Sequence, residues 1–245
     1  NSIQKEVHML NYICIILSSF EQVFSRTRTW AIFCVIIFSF FGCYEVIGVT
    51  SFCRFLGIGE SGYNSLLHFF RSTAWTLDAL VFHWTAFLIS EKVIIKEQGR
   101  AILLGDHTNV AKDARKTPGV VTLHQTSETQ TKPSYFRGHF WGGVGALTGS
   151  EEEPFCTPVE LGIHQGGIHI GEEQSPDDKD TLGVKIVRMA QKFALEHNLP
   201  SFLVLDAFFS KCKNFCISKF YMVIRFKTAF TNTDCQGKKE LCSIF

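Results

Sequence analysis

The chain has 245 residues, 46% of them hydrophobic, enough for one large domain or two modest ones with a real core. Lys and Arg total 24 against 23 Asp and Glu, a net charge of +1, which excludes binding of polyanions through one global positive field. Nine scattered cysteines, an odd number with no Cys-x-x-Cys pair, suit a reducing compartment in which thiols serve as small apolar residues.

Charge is segregated along the chain. Glu151, Glu152, Glu153, Glu160, Glu172, Glu173, Asp177, Asp178 and Asp180 make residues 151–180 acidic, whereas Lys211, Lys213, Lys219, Arg225, Lys227, Lys238 and Lys239 make the C-terminal stretch basic. Such runs are compatible with a side that faces DNA, and equally with solvated surface.

The N-terminal third is apolar. Trp30 to Tyr44 carries no charge, yet it is shorter than the roughly 20 residues that span a bilayer. It also lacks the cleavage site of a secretory signal. Between Tyr63 and Ser90 apolar residues recur at helical spacing, interrupted by His68, Arg71, Asp78 and His83, the pattern of amphipathic or buried helices. Residues 1–92 are therefore expected to be a helical region, with most of the 24 Phe building cores.

From Ile94 the character changes to strands and loops. Ala101–Leu104 reads as a buried strand, followed by Gly105 and Asp106. A polar loop (112–117) precedes Pro118-Gly119. Residues 135–149 and 157–164 flank the acidic turn Ser150–Pro154 as an antiparallel hairpin. Residues 164–180 read as a Gly- and acid-rich loop. Thr181–Asn198 is the clearest helix, with Leu182, Ile186, Met189, Ala190 and Phe193 on one face and Pro200 beyond its end. A second apolar strand, Phe202–Leu205, runs into Asp206. After a helical or turn segment at 210–218 comes a last strand-like run, 221–227.

Two strands that each deliver a carboxylate at their carboxyl end form the chemically informative pattern, because open α/β sheets place ligands there. Acids on neighbouring strands repel unless a cation lies between them. The order strand with Asp, hairpin, helix, strand with Asp, helix or turn, strand matches an α/β fold of ribonuclease H-like topology, a mixed sheet with flanking helices. In that topology the first and fourth strands are adjacent, so Asp106 and Asp206 are expected side by side.

Three stretches carry a resemblance: Leu104-Gly-Asp106-His-Thr108-Asn-Val-Ala-Lys112-Asp-Ala-Arg115-Lys116-Thr-Pro-Gly119-Val, then Gly138-His-Phe-Trp-Gly142, then Leu203-Val-Leu-Asp206-Ala-Phe-Phe. Together they resemble the DDE transposases of bacterial insertion sequences. The resemblance implies that Asp106 is the first catalytic acid, bridging two Mg²⁺ or Mn²⁺ ions, and that Asp206 is the second, ligating one of them. The ions would activate water or a 3′-hydroxyl and stabilise the leaving oxygen. Lys112, Arg115, Lys116 and Arg137 become candidates for DNA-backbone contacts, with an exposed loop as the competing reading of the first three. The partners implied are double-stranded DNA at element ends and target, compatible with a homodimer, with no small-molecule cofactor and no membrane, in the bacterial cytoplasm at the nucleoid.

One departure concerns the third acid, a Glu on a later helix. Glu240 is the nearby candidate, at integrase-like spacing from Asp206, but Gly-Lys-Lys-Glu240-Leu-Cys shows none of the surrounding signature. The chain, which opens on Asn1, accordingly reads as residues 1–92 plus a core at 93–245 truncated before that acid, with impaired activity. The competing class is a non-enzymatic or membrane-associated protein dominated by its apolar N-terminal third.

Other constellations read as structural. Gly143-Val-Gly145-Ala-Leu-Thr-Gly149 has the wrong spacing for a dinucleotide loop. Cys212, Cys216, Cys235 and Cys242 fit no common zinc pattern. His164 and His169 read as polar loop surface, and Cys156 as a strand-end packing residue. His107 is expected to point away from Asp106. Phe140 and Trp141, beside Arg137 and His139, are expected to serve cross-strand packing.

Overall fold

Aromatic side chains at helical spacing build the first of two units, Asn1–Glu91. The computed structural model describes residues 2–45, 48–112, 117–124, 135–164, 182–206 and 221–224. In this unit α1 (Ser2–Ser19), a 3-10 turn (Glu21–Val23), α2 (Thr27–Gly42), α3 (Val49–Leu56), α4 (Glu60–Arg71) and α5 (Leu77–Ser90) enclose a core that includes Leu17, Phe20, Phe33, Ile36, Phe52 and Phe69. Phe24 and Phe33 meet at 5.1 Å between ring centroids, and Phe69 stacks on Trp75 at 5.0 Å. Trp30 and Trp75 lie among these rings and donate their indole N–H groups to the carbonyls of Leu17 and Phe69, at 3.0 and 3.1 Å. Neither polar tip is left unsatisfied. The uncharged run from Trp30 lies in α2, which ends at Gly42. Among the described residues no helix is long and apolar enough to cross a membrane.

The second unit, Lys92–Phe245, is a mixed α/β structure. Its sheet comprises β1 (Lys96–Glu97), β2 (Arg100–Ala111), β3 (Val121–His124), β4 (Tyr135–Gly149), β5 (Pro154–Ile163), β6 (Ser201–Leu205) and β7 (Tyr221–Ile224), with α6 (Leu182–Glu196) between β5 and β6. The path is β3-β4-β2-β6-β7, with β5 also on β4 and β1 on β2. β2, β6 and β7 run parallel, and β4 is antiparallel to β2, β3 and β5. The apolar runs at 101–105 and 201–205 are the central parallel strands, whose Ala101, Leu103, Leu203 and Leu205 are at most 2% exposed. α6 lays Ile186, Val187, Ala190 and Phe193 on that face, all at most 1% exposed. Gly105 permits the approach, because a Cβ there would stand 2.6 Å from Ile186 Cγ2 and 2.7 Å from Leu205 Cδ2.

Three sequence expectations are corrected. β2 does not end before Asp106 but runs on to Ala111, because β4 stays paired with it as far as Gly138. β3, absent from the expected order, pairs with the start of β4. Cys156 is exposed rather than buried in the core, with its Sγ over Gly145 of the neighbouring strand.

A β-bulge fixes what the β4–β5 hairpin shows to each side. Gly145 pairs with Pro158 but Val144 with Glu160, so Val159 is the extra residue. Side chains alternate along a strand, so one inserted residue inverts the alternation beyond it. Glu160, Gly162 and His164 thereby turn toward α6, and Leu161 and Ile163, 52% and 39% exposed, turn out. Glu160 is 8% exposed and meets Lys192 of α6 at 3.4 Å.

Candidate metal centre

The β2–β6 ladder is in register from Ala101↔Ser201 to Gly105↔Leu205. Asp106 and Asp206 each follow the last pair by one residue. Adjacent strands lie about 4.8 Å apart, so the register carries these two acids forward as neighbours at the carboxyl end of the parallel ladder. Leu103, Gly105, Leu203 and Leu205 face α6; continuing the alternation puts both acids on the opposite face, and both are exposed. Asp106 Oδ1 accepts a hydrogen bond from the His107 amide at 2.7 Å, which holds the carboxylate against its own strand.

Two carboxylates offer hard oxygen donors, the chemistry that Mg²⁺ and Mn²⁺ take. Among the described residues no group of three or more His, Cys, Asp and Glu is placed to hold a metal ion. Glu240 lies outside the described residues, as do Arg115, Lys116, His169, Cys212, Cys216, Cys235 and Cys242.

Lys112 and Arg137 are brought together. The Lys112 amide donates to the Arg137 carbonyl at 2.9 Å, continuing the β2–β4 ladder by one step. Both side chains are exposed, and by strand alternation both lie on the face of Asp106. Six residues of extended chain separate Lys112 from Asp106, a distance of about 20 Å. The two basic residues are thus a pair of their own along the same face, rather than part of the carboxylate cluster.

The histidines rearrange the expectation. His164 is not polar loop surface: it is 7% exposed and its Nδ1 lies 3.0 Å from His107 Nε2. The ring occupies the space that a side chain on Gly142 would need, so that glycine is required for close approach. His107 does point away from Asp106, packing on Phe140 at 4.9 Å between ring centroids. Phe140 therefore does pack across strands, but on the α6 side, whereas Trp141 alternates to the face of Asp106. No local signal in the sequence marks the His107–His164 contact. It depends on the bulge at Val159, since without that inserted residue His164 would face outward.

Burial, then the neighbouring His164, then Lys185 push the His107 imidazole down to about 4. The folded state thus favours the neutral ring relative to an unfolded value near 6.5. Its contribution is full above about pH 6.5 and is lost as pH falls toward 4. After discounting for solvent screening, wild-type protein is expected to lose on the order of 1–2 kcal/mol by this route. Denaturant unfolding at pH 7 and pH 4 checks it, because His107→Gln should show a smaller difference between the two.

No protein-family model and no characterised protein matches this chain.

Proposed function

We propose that this chain is a metal-dependent polynucleotidyl transferase of ribonuclease H-like fold, the chemistry of a DDE transposase. The observation that supports the reading is the parallel β2–β6 register, whose last pair, Gly105↔Leu205, is followed one residue on by Asp106 and by Asp206. The fold assignment is supported by the path β5-β4-β2-β6-β7, in which β4 alone is antiparallel to β2, β6 and β7 through its partners, with α6 crossing between β5 and β6. That is the order expected when the first and fourth strands of such a core lie together.

In this reading Asp106 and Asp206 bind Mg²⁺ or Mn²⁺. When bound, the ions lower the barrier to in-line attack at phosphorus by activating the nucleophile and stabilising the leaving oxygen. Asp106, oriented by the His107 amide, offers its carboxylate on the open face where a phosphodiester can reach it. Lys112 and Arg137 hold backbone phosphates farther along that face, a contact that gives salt-dependent affinity without reading sequence. Glu240 stands as the candidate third acid. Double-stranded DNA, a bacterial cytoplasmic setting and homodimeric assembly belong to the same proposal.

The test is thermal unfolding of the full chain in millimolar Mg²⁺ or Mn²⁺ against chelator. An ion present at a hundredfold its dissociation constant stabilises by about 2.7 kcal/mol, a shift of roughly 5–10 °C for a unit of this size. Identical melting with and without either ion would remove the chemical basis of the proposal.

A further inference from the structure

Past Asp106, the β2–β4 ladder continues as an arm that β6 does not accompany. β6 ends at Leu205, whereas β2 remains paired with β4 to Ala111↔Gly138, flanked by β3 and the end of β5. The two faces of this arm differ. One is closed, with Val121, Leu123, Gly138, Gly142 and His164 buried. The other is open: Tyr135 is 62% exposed and Val110 47%, and Thr108, Lys112, Thr122 and Arg137 are also exposed.

The chemistry of the open face is one-sided. Neither face of the arm carries an Asp or Glu at residues 107–112, 121–124, 135–142 or 161–164. Lys112 and Arg137 supply neighbouring positive charge. Trp141 lies beside Thr108, diagonally next to Asp106 across the ladder, and is half-buried. His139 donates Nε2–H to the Pro118 carbonyl at 3.0 Å and meets the Trp141 ring edge-on at 6.2 Å, which fixes that ring from one side. At the far end Tyr135 meets His124 at 4.9 Å, again edge-on. Aromatic rings on an open sheet, with cations between them and no carboxylate among the described residues of the arm beyond Asp106, combine base stacking with phosphate attraction.

We infer that the open face of this arm binds a single-stranded nucleic-acid segment, with bases stacked on Trp141 and Tyr135 and phosphates on Lys112 and Arg137. A duplex keeps its base faces stacked on one another, so these rings discriminate in favour of an unpaired strand. The arm offers about 20 Å beyond Asp106, on the scale of the smallest single-strand sites, which hold about 4 nucleotides. That the strand runs toward Asp106 and Asp206 rests on the function proposed above; the binding itself does not.

The experiment is fluorescence anisotropy of a labelled oligothymidylate against the full chain in chelator, with a duplex of equal length as comparison. The single strand is expected to bind more tightly and to quench tryptophan emission. Trp141→Leu should weaken it about five- to a hundredfold and remove the quench. Lys112→Ala with Arg137→Ala should lower the slope of log affinity against log salt by about 1.4. If Trp141→Leu loses its circular dichroism signal, Tyr135→Ala, at an exposed position, carries the same test. Equal affinity for duplex and single strand overturns the inference. So does wild-type affinity in the variant, or a Trp141 emission that nucleic acid does not reach because another segment of the chain covers the face. Because chelator is present throughout, loss of single-strand binding with intact metal stabilisation overturns this inference alone, and the converse overturns the metal proposal alone.

Discussion

Under the function proposed above, Asp106→Asn is expected to cut divalent-ion-dependent cleavage of DNA sharply while slightly raising the melting temperature of the metal-free protein. The two signs are opposite for one physical reason. With divalent ions chelated, the register carries Asp106 and Asp206 forward as neighbouring like charges one residue past the last pair of the ladder. Charges about 5 Å apart in a well-hydrated setting repel by somewhat under 1 kcal/mol, and neutralising one relieves that. With metal present the same substitution removes an anionic ligand, so the stabilisation of about 2–3 kcal/mol at high ion concentration should largely disappear. In the proposed mechanism cleavage depends on the bound ions and should fall by about a hundred- to a thousandfold, as when a transition-state electrostatic group is removed. Asp206→Asn should reproduce all three effects. Nicking of a supercoiled plasmid, followed on a gel beside melting curves with and without Mn²⁺, checks them. A metal-free variant less stable than wild type, with unchanged nicking, would mean that the carboxylates are structural.

Phe193→Ala carries the largest expected effect on folding. Phe193 is fully buried on α6, beside Ala190 and the similarly buried Ile186 and Val187. Truncating a buried Phe forfeits its transfer free energy and leaves a cavity, a loss of about 3–5 kcal/mol. For a unit of this size the melting temperature should drop by roughly 10 °C or more. α6 lies on the face away from Asp106, so the variant should still respond to metal at temperatures where it remains folded. Chemical denaturation followed by far-ultraviolet circular dichroism measures the loss. A change below about 1 kcal/mol would contradict the packing described for α6.

The order of these effects reflects how the second unit is built. α6 packs on β2, β4 and β6, and the β2–β6 register runs to the pair that directly precedes Asp106 and Asp206. A substitution under α6 is therefore read as stability, and one on the far face as chemistry.

Much of this was legible in the amino-acid sequence. The continuous apolar runs before Asp106 and Asp206 pointed to central parallel strands, and both are central, buried under α6 on one face and half-buried on the other. The 3.6-residue recurrence of Ile186, Met189, Ala190 and Phe193 determined α6, and the Ser150–Pro154 turn determined the hairpin around it. Charged interruptions at His68, Arg71, Asp78 and His83 likewise foretold helices with a solvated side in the first unit.

What the tertiary structure alone decided lies in register and facing. The extension of β2 to Ala111 comes from its pairing with β4, a contact between segments far apart in sequence, and it moved Asp106 from the end of a strand to the root of an arm. The single inserted residue Val159 decided that His164 is buried against His107 while Leu161 and Ile163 face water. A one-residue slip reverses every side chain beyond it, and no local pattern reports such a slip. For the same reason composition could list Lys112, Arg137, Tyr135 and Trp141, but only the pairing of strands placed them together on the open face that leads away from Asp106.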